Sequence, residues 1–279
     1  MWPQLRCGWW KPMADLTFPQ LSSGALVQYP IRKSNGLRSI KNILADGTML
    51  VAADPGGGKL AWNLSYVDLL PEDIGALRSH FSNCAGPLRG FTFLDPADNL
   101  LAYSADLTAP SWNVPPGVTI QSGMPDPSGG SAAFLVTNGA AAAQQIAQTV
   151  AAPVSYQYCF SVYAFMASAG SVSLTRSSGN DLQSQTFAVG AAWARIVSSG
   201  RLNDTGTGLS AAITMEAGQS VLLYGPQLEP QHAPSRFRPT YSRAGIYPNS
   251  HWAVQELIVT AEAPNLFSTS FAIETTIPD

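Results

Sequence analysis

In KLAWNLSYVDL, residues 59–69, Leu60, Trp62, Leu64 and Tyr66 fall on one face and small or polar residues on the other. A period of two predicts a half-buried strand. ALVQYPIRKS alternates in part, with Leu26, Gln28 and Pro30 against Val27, Tyr29 and Ile31. ILADGTMLVAAD sets Asp46-Gly47 between apolar arms. This predicts a tight hairpin, because both turn residues tolerate positive φ. The period changes from Pro71 to about Cys84, where Ile74, Leu77 and Phe81 recur on one helical stripe. Pro71 suits the first helical position, Glu72 and Asp73 complement the dipole, and Gly86-Pro87 ends the helix. PLRGFTFLDP then reads as a strand with Phe91 and Phe93 on one side.

From Asn99 the text becomes rich in Ser, Ala, Gly, Thr and Gln. SAAFLVTN, SYQYCFSVYAFM, SVSLTRS, QTFAVG, WARIVSSG, SAAITME and SVLLYGPQLEP alternate and are separated by turn residues. About seven short strands so spaced predict a β-sandwich. AAAAQQIAQTVAA is alanine-rich, but QQIAQTV alternates, so it reads as loop then strand. After RFRPTYSRAG, HWAVQELIVTAEAPNLFSTSFAIETTI predicts two long strands joined at Ala263-Pro264-Asn265, with larger apolar side chains like those of the first 96 residues. A C-terminal strand pair with no sheet to join is marginal. The expected organisation is therefore discontinuous: residues 1–12 an N-terminal extension, 13–98 the first part of a β domain, 99–243 an inserted β-sandwich, and 244–279 the closing strands. Insertion is tolerated because domain termini lie close together and closure entropy grows slowly with length. Two or three domains in plain succession is the competing organisation.

Composition sharpens this picture. The 279 residues carry only 12% charged side chains, with 24 glycines and 21 prolines, which suits an all-β chain of short strands and turns. The net charge of −3 and 15 scattered Lys and Arg argue against nucleic-acid binding, which needs clustered cations. No apolar stretch is long enough to span a membrane. Cys7, Cys84 and Cys159 are widely spaced, as are His80, His232 and His251, so neither a disulfide framework nor a metal site is expected, and no cofactor. MWPQLRCGWWKP has no continuous apolar core and is not read as a secretory signal; it is an upstream extension or an arm that docks its tryptophans on a neighbouring subunit.

FPQLSSGALVQYPIRKS, WNLSYVDLLPEDIGALRSHF and PLRGFTFLDPADN resemble the N-terminal part of distal tail (hub) proteins of long-tailed bacteriophages and of related minor tail proteins. The shared pattern is carried by Trp62, the helix from Pro71, Gly90, Phe91, Phe93, Asp95, Pro96 and Asp98. NLFSTSFAIET is similar to their closing strand. NLLAYSADLTAPSW, YCFSVYAFMASAGSVSLTR, AAWARI and VLLYGPQLEPQHAPSRFRPT resemble the carbohydrate-binding-module-like sandwiches of phage tail proteins. The resemblance implies a mainly β protein: a discontinuous β-sandwich-type tail-hub domain with one helix, interrupted by a jelly-roll β-sandwich. It implies a structural virion protein at the distal tail, assembled in the host cytoplasm. That protein forms a ring, a hexamer by family analogy, linking the tail tube to the tail-tip proteins, with a peripheral module for host-surface glycans. It also marks Asn99, Trp112, Trp193, Gln227 and Glu229 as structural positions. The alternative is a free glycan-binding protein or an accessory module of a cell-wall or polysaccharide hydrolase.

Catalytic patterns are absent from the sequence. DPGGGKL fails as a phosphate loop: Ala53 stands where its first glycine belongs and Leu60 follows the lysine. There is no GxSxG or HExxH, and Asp181, Asp204, Glu216 and Glu229 are dispersed, so no enzyme activity is expected. Sugar recognition needs an aromatic face with amide or guanidinium donors. If Tyr156, Tyr158, Phe160 and Val162 pack inward, Gln157 and Tyr163 point to an open face that Arg176 and Gln185 from neighbouring strands join. An inert sheet face is the other reading.

Overall fold

The computed structural model describes residues 16–54 and 56–277. The extension assigned to residues 1–12, with Cys7, lies outside the described residues. The described chain is mainly β and divides into two compact units. One holds Pro30–Phe93, the chain from Pro248 onward and the segment ending at Pro19; the other holds Gln20–Tyr29 and Leu94–Tyr247.

The first unit opens with β1 (Arg32–Gly36), β2 (Ser39–Ile43), β3 (Met49–Ala53), β4 (Gly58–Leu69), α1 (Pro71–Asn83) and β5 (Phe91–Leu94). The alternation in β4 buries Leu60, Trp62, Leu64 and Tyr66 on one side. Asp68 takes φ 53°, which breaks the period and turns Leu69 back to the buried side. In α1, Pro71 starts the helix and Ile74, Leu77 and His80 form the buried stripe. Gly86, at φ 61°, donates to the Phe81 carbonyl at 2.9 Å and closes the C-terminus.

The second unit holds β6 (Val118–Met124), β7 (Ala133–Asn138), β8 (Gln144–Ala151), β9 (Tyr158–Phe165), β10 (Gly170–Ser177), β11 (Leu182–Val189), β12 (Ala194–Gly200), β13 (Gly208–Met215) and β14 (Ser220–Glu229). They form two antiparallel sheets, ordered β11-β10-β13-β8 and β12-β9-β14-β7-β6. The chain changes sheet from β7 to β8, to β9 and to β10, and again through β11, β12, β13 and β14. This crossing back and forth is a jelly-roll sandwich. Its core is the set of inward residues: Phe160 and Val162 of β9, Val172 and Leu174 of β10, Leu209 and Ile213 of β13, Ile146 of β8 and Leu223 of β14. The chain enters and leaves this unit side by side. Gly245 N–H donates to Asn99 O at 2.8 Å, and Asp95 N–H donates to Gly245 O at 2.7 Å. Asn99 is fully buried; its amide donates to Pro226 O and accepts from Leu101 and Leu228 N–H, tying entry to β14.

The chain then returns with β15 (Ile246–Trp252), β16 (Val259–Ala263) and β17 (Leu266–Ile277). β17 pairs antiparallel with β4 from Phe267↔Leu69 to Ile277↔Gly58, within a sheet ordered β1-β4-β17-β15-β5, and β16 pairs β17. Phe18, Trp62, Tyr66, Phe91, Phe93, Trp252 and Phe271 make one ring cluster in the first unit, with Trp252–Phe271 centroids 4.5 Å apart and Trp62–Phe93 4.8 Å. Each such pair adds about 0.5–1.5 kcal/mol beyond its area burial.

Several elements differ from the sequence reading. Residues 25–31 form no strand: neighbours Leu26 and Val27 are both buried, Pro30 lacks a ladder N–H, and the segment up to Tyr29 belongs with the second unit. The β2–β3 turn runs over Leu44–Thr48, held by Leu44 N–H to Thr48 O and by Thr48 N–H on the Asp46 carboxylate. The sequence reading has no strand at β6, because VTIQSGM offers few apolar residues and carries a glycine at φ 80°, Gly123, before its last residue. The C-terminal stretch is three strands, since residues 253–258 are irregular.

Candidate binding cleft

β9 sends Tyr158, Phe160, Val162 and Ala164 into the sandwich and turns Cys159, Ser161 and Tyr163 outward. Cys159 and Ser161 are nevertheless buried, because the chain beyond β14 folds back over them. Ser199 Oγ donates to His232 O at 2.7 Å. The Arg195 guanidinium bonds Ser235 O and, at 3.0 Å, Ser161 Oγ. The buried Glu229 carboxylate accepts from Ser235 N–H at 3.0 Å, from Ser235 Oγ and from the Gln231 amide. Gln227, also buried, accepts from Arg238 N–H at 2.7 Å. Glu229 and Gln227 therefore clamp the returning segment. Burial pushes the Cys159 thiol up to about 12, so this cysteine is inert packing.

Where that cover ends, an open cleft of about 460 Å³ begins at Tyr163, a size typical of small-ligand sites. Tyr163 and Tyr224 stand opposite one another on β9 and β14, ring centroids 5.9 Å apart. Phe237 meets Tyr224 edge-on at 5.2 Å. Gly225 sits at the bulge of β14 with φ 61°, and its missing side chain admits the Phe237 ring. Arg195 lies over Tyr163, 5.2 Å from the ring centre. Tyr241, 67% exposed, Ser128 and Arg236 are also in the lining. Burial raises the Tyr224 hydroxyl pKa; the Asp126 carboxylate adds to this, and Ser128 and the Arg236 charge oppose it. Asp126 accepts three backbone N–H bonds, from Ala132, Ser128 and Gly130, which hold its carboxyl below the usual range.

The four residues read from the sequence do not meet. Tyr163 lines the cleft. Gln157 is buried, with its backbone N–H on the Gln20 amide and its own amide on Ser199 Oγ. Arg176 is a correction: β10 belongs to the opposite sheet, so Arg176 points between the sheets, 2% exposed, onto Gly200 O and the Gln183 amide. Gln185 is exposed on β11, an outer strand of that same opposite sheet, far in strand order from β9. Sequence reasoning missed Tyr224, Arg236, Phe237 and Tyr241. The signal available was SRFRPTY, in which arginines and aromatics interleave directly after Ala233-Pro234.

The cleft offers four aromatic side chains, hydroxyls and a guanidinium. Among the described residues no carboxylate lines it. By class, the chain is a mainly β protein with an antiparallel jelly-roll sandwich. No protein-family model matches it and no curated protein matches it. Solved structures similar to it include the CBM22-1 xylan-binding domain from Paenibacillus barcinonensis Xyn10C, at 16% identity and TM-score 0.39, over 48% of this chain and 96% of that one. TmCBM61, solved with β-1,4-galactotriose, aligns at 15% identity and TM-score 0.36, over 47% and 97%. Tailspike protein 4 of bacteriophage CBA120 aligns at 12% identity and TM-score 0.39 over 49% of this chain, which spans only 22% of the tailspike chain.

Proposed function

We propose that the protein is a structural component of the distal tail of a long-tailed bacteriophage, with no catalytic activity of its own. Its discontinuous unit self-associates into a ring, six-fold by analogy, that joins tail tube to tail tip. The inserted sandwich contacts glycans of the host surface. The observation that carries the assembly reading is the β2–β3 hairpin. All its strand residues are exposed, and both faces carry large apolar side chains: Ile43, Met49 and Val51 beside Lys41 on one, Ile40 and Leu50 beside Asn42 on the other. A two-stranded ladder with exposed apolar side chains on both faces is marginal alone in water and gains its stability in an assembly. Weak glycan contacts repeated around a ring would add through avidity. Light scattering and negative-stain imaging of the purified protein test this. A closed ring is expected; a monomer at tens of micromolar overturns it.

A second reading, a glycan-binding module acting as a monomer, draws on the cleft lying wholly within the sandwich unit. Sugar affinity in a protein that stays monomeric would favour it.

A further inference from the structure

Arg236 is the only charged residue lining the cleft among the described residues, and its side chain is exposed. Its hydrogen bonds to the described residues are made by its backbone carbonyl, so the guanidinium fork is available to a ligand. The two nearby carboxylates are already engaged. Asp126 is filled by three backbone N–H groups, and Glu229 is buried beneath Ser235 and Gln231. Arg195 adds a second positive charge beside Tyr163. Resting on the glycan reading above, we propose that the cleft selects an acidic sugar, a pyranose bearing a carboxylate. The carboxylate takes the Arg236 fork as a bidentate pair, and the ring stacks on the aromatic wall of Tyr224, Phe237 and Tyr241. A planar guanidinium matches a carboxylate with two parallel N–H bonds, which a neutral hydroxymethyl group cannot reproduce. The bond sits at an open cleft, so the preference weakens with salt.

Calorimetric titration of the full chain with a trigalacturonate, with neutral galactotriose and with acetate tests the proposal. The uronate is expected to bind at least about tenfold tighter than the neutral sugar at low salt, with the gap closing in 0.5 M NaCl. Arg236→Gln should weaken uronate binding at least about tenfold more than neutral-sugar binding, so that the gap closes. Acetate should not bind measurably, since it lacks the stacked ring. Neutral sugar binding as tightly as the uronate, or Arg236→Gln weakening both equally, overturns the acidic preference and leaves the glycan reading standing. Acetate matching the uronate reduces the site to a bare anion contact and overturns it too. Binding of neither sugar overturns both.

Discussion

Gly225 and Phe237 share one space: a Cβ on Gly225 would lie 2.8 Å from Cγ of the Phe237 ring. The same glycine holds φ 61°, in the left-handed region, at the bulge that separates Tyr224 from Gln227 in the β14–β9 ladder. The cleft wall therefore depends on a residue without a side chain. Gly225→Ala is expected to cost about 1–2 kcal/mol from backbone strain alone and to push Phe237 off Tyr224. A thermal melt should fall by several degrees and ligand affinity should drop with it. An unchanged melt would show that the ring moves aside freely.

His80 is a second buried dependence. Trp252 Nε1–H donates to His80 Nδ1 at 3.2 Å, so the imidazole is neutral with its proton on Nε2. Phe18 and Phe91 pack on the ring edge-on, and burial lowers its pKa from 6.5 to about 4. The unfolded chain thus binds the proton more tightly. Stability from this group is full above pH 6.5 and is lost as pH falls toward 4, by about 2–3 kcal/mol. His80→Gln keeps an acceptor for the indole and cannot titrate. Its denaturation midpoint should fall less between pH 7 and pH 4.5 than that of the parent chain; parallel losses would exonerate His80.

The hairpin separates assembly from folding. Ile43 is 71% exposed and Val51 55% exposed on one face of β2–β3. Exposed substitutions of this kind change stability by within about 0.5 kcal/mol. Ile43→Ser with Val51→Ser should leave the melt of the sandwich unit unchanged and convert an assembled particle to monomers by light scattering. Rings that survive the double change would move the interface elsewhere.

How much of this was legible in the sequence depends on range. Leu60, Trp62, Leu64 and Tyr66 declared a buried strand face, because alternation is local, and so did the Ile74–Leu77 stripe of α1. Tyr163 could be placed outward from β9 alone. Arg176 could not: alternation gives two faces but not which sheet a strand joins, and β10 pairs β11 and β13, never β9. The cleft's other walls depend on a bulge at Gly225 and on a segment clamped by Glu229 and Gln227. Those contacts are set by tertiary packing, which no local period encodes.

The limits of the inserted unit lead to the last prediction. The chain enters and leaves it through adjacent residues, Gly245 N–H on Asn99 O and Asp95 N–H on Gly245 O, so a linker of about two residues can close the gap left by excision. Removing residues 99–243, the limits read from composition, is nevertheless incomplete. Gln20–Tyr29 belongs to the same unit. Its Leu21, Leu26 and Val27 are buried, while Gln20 bonds Gln157 and Ser23 O meets His232. That excision strips the cover from three apolar side chains. It should bind an apolar dye and aggregate, although the β4–β17 ladder is intact. Replacing residues 20–29 with a Gly/Ser linker as well should abolish dye binding and keep the near-ultraviolet signal of the Trp62–Phe93 and Trp252–Phe271 cluster. If the simple excision is equally soluble and dye-silent, the 20–29 segment is not an integral part of the sandwich unit.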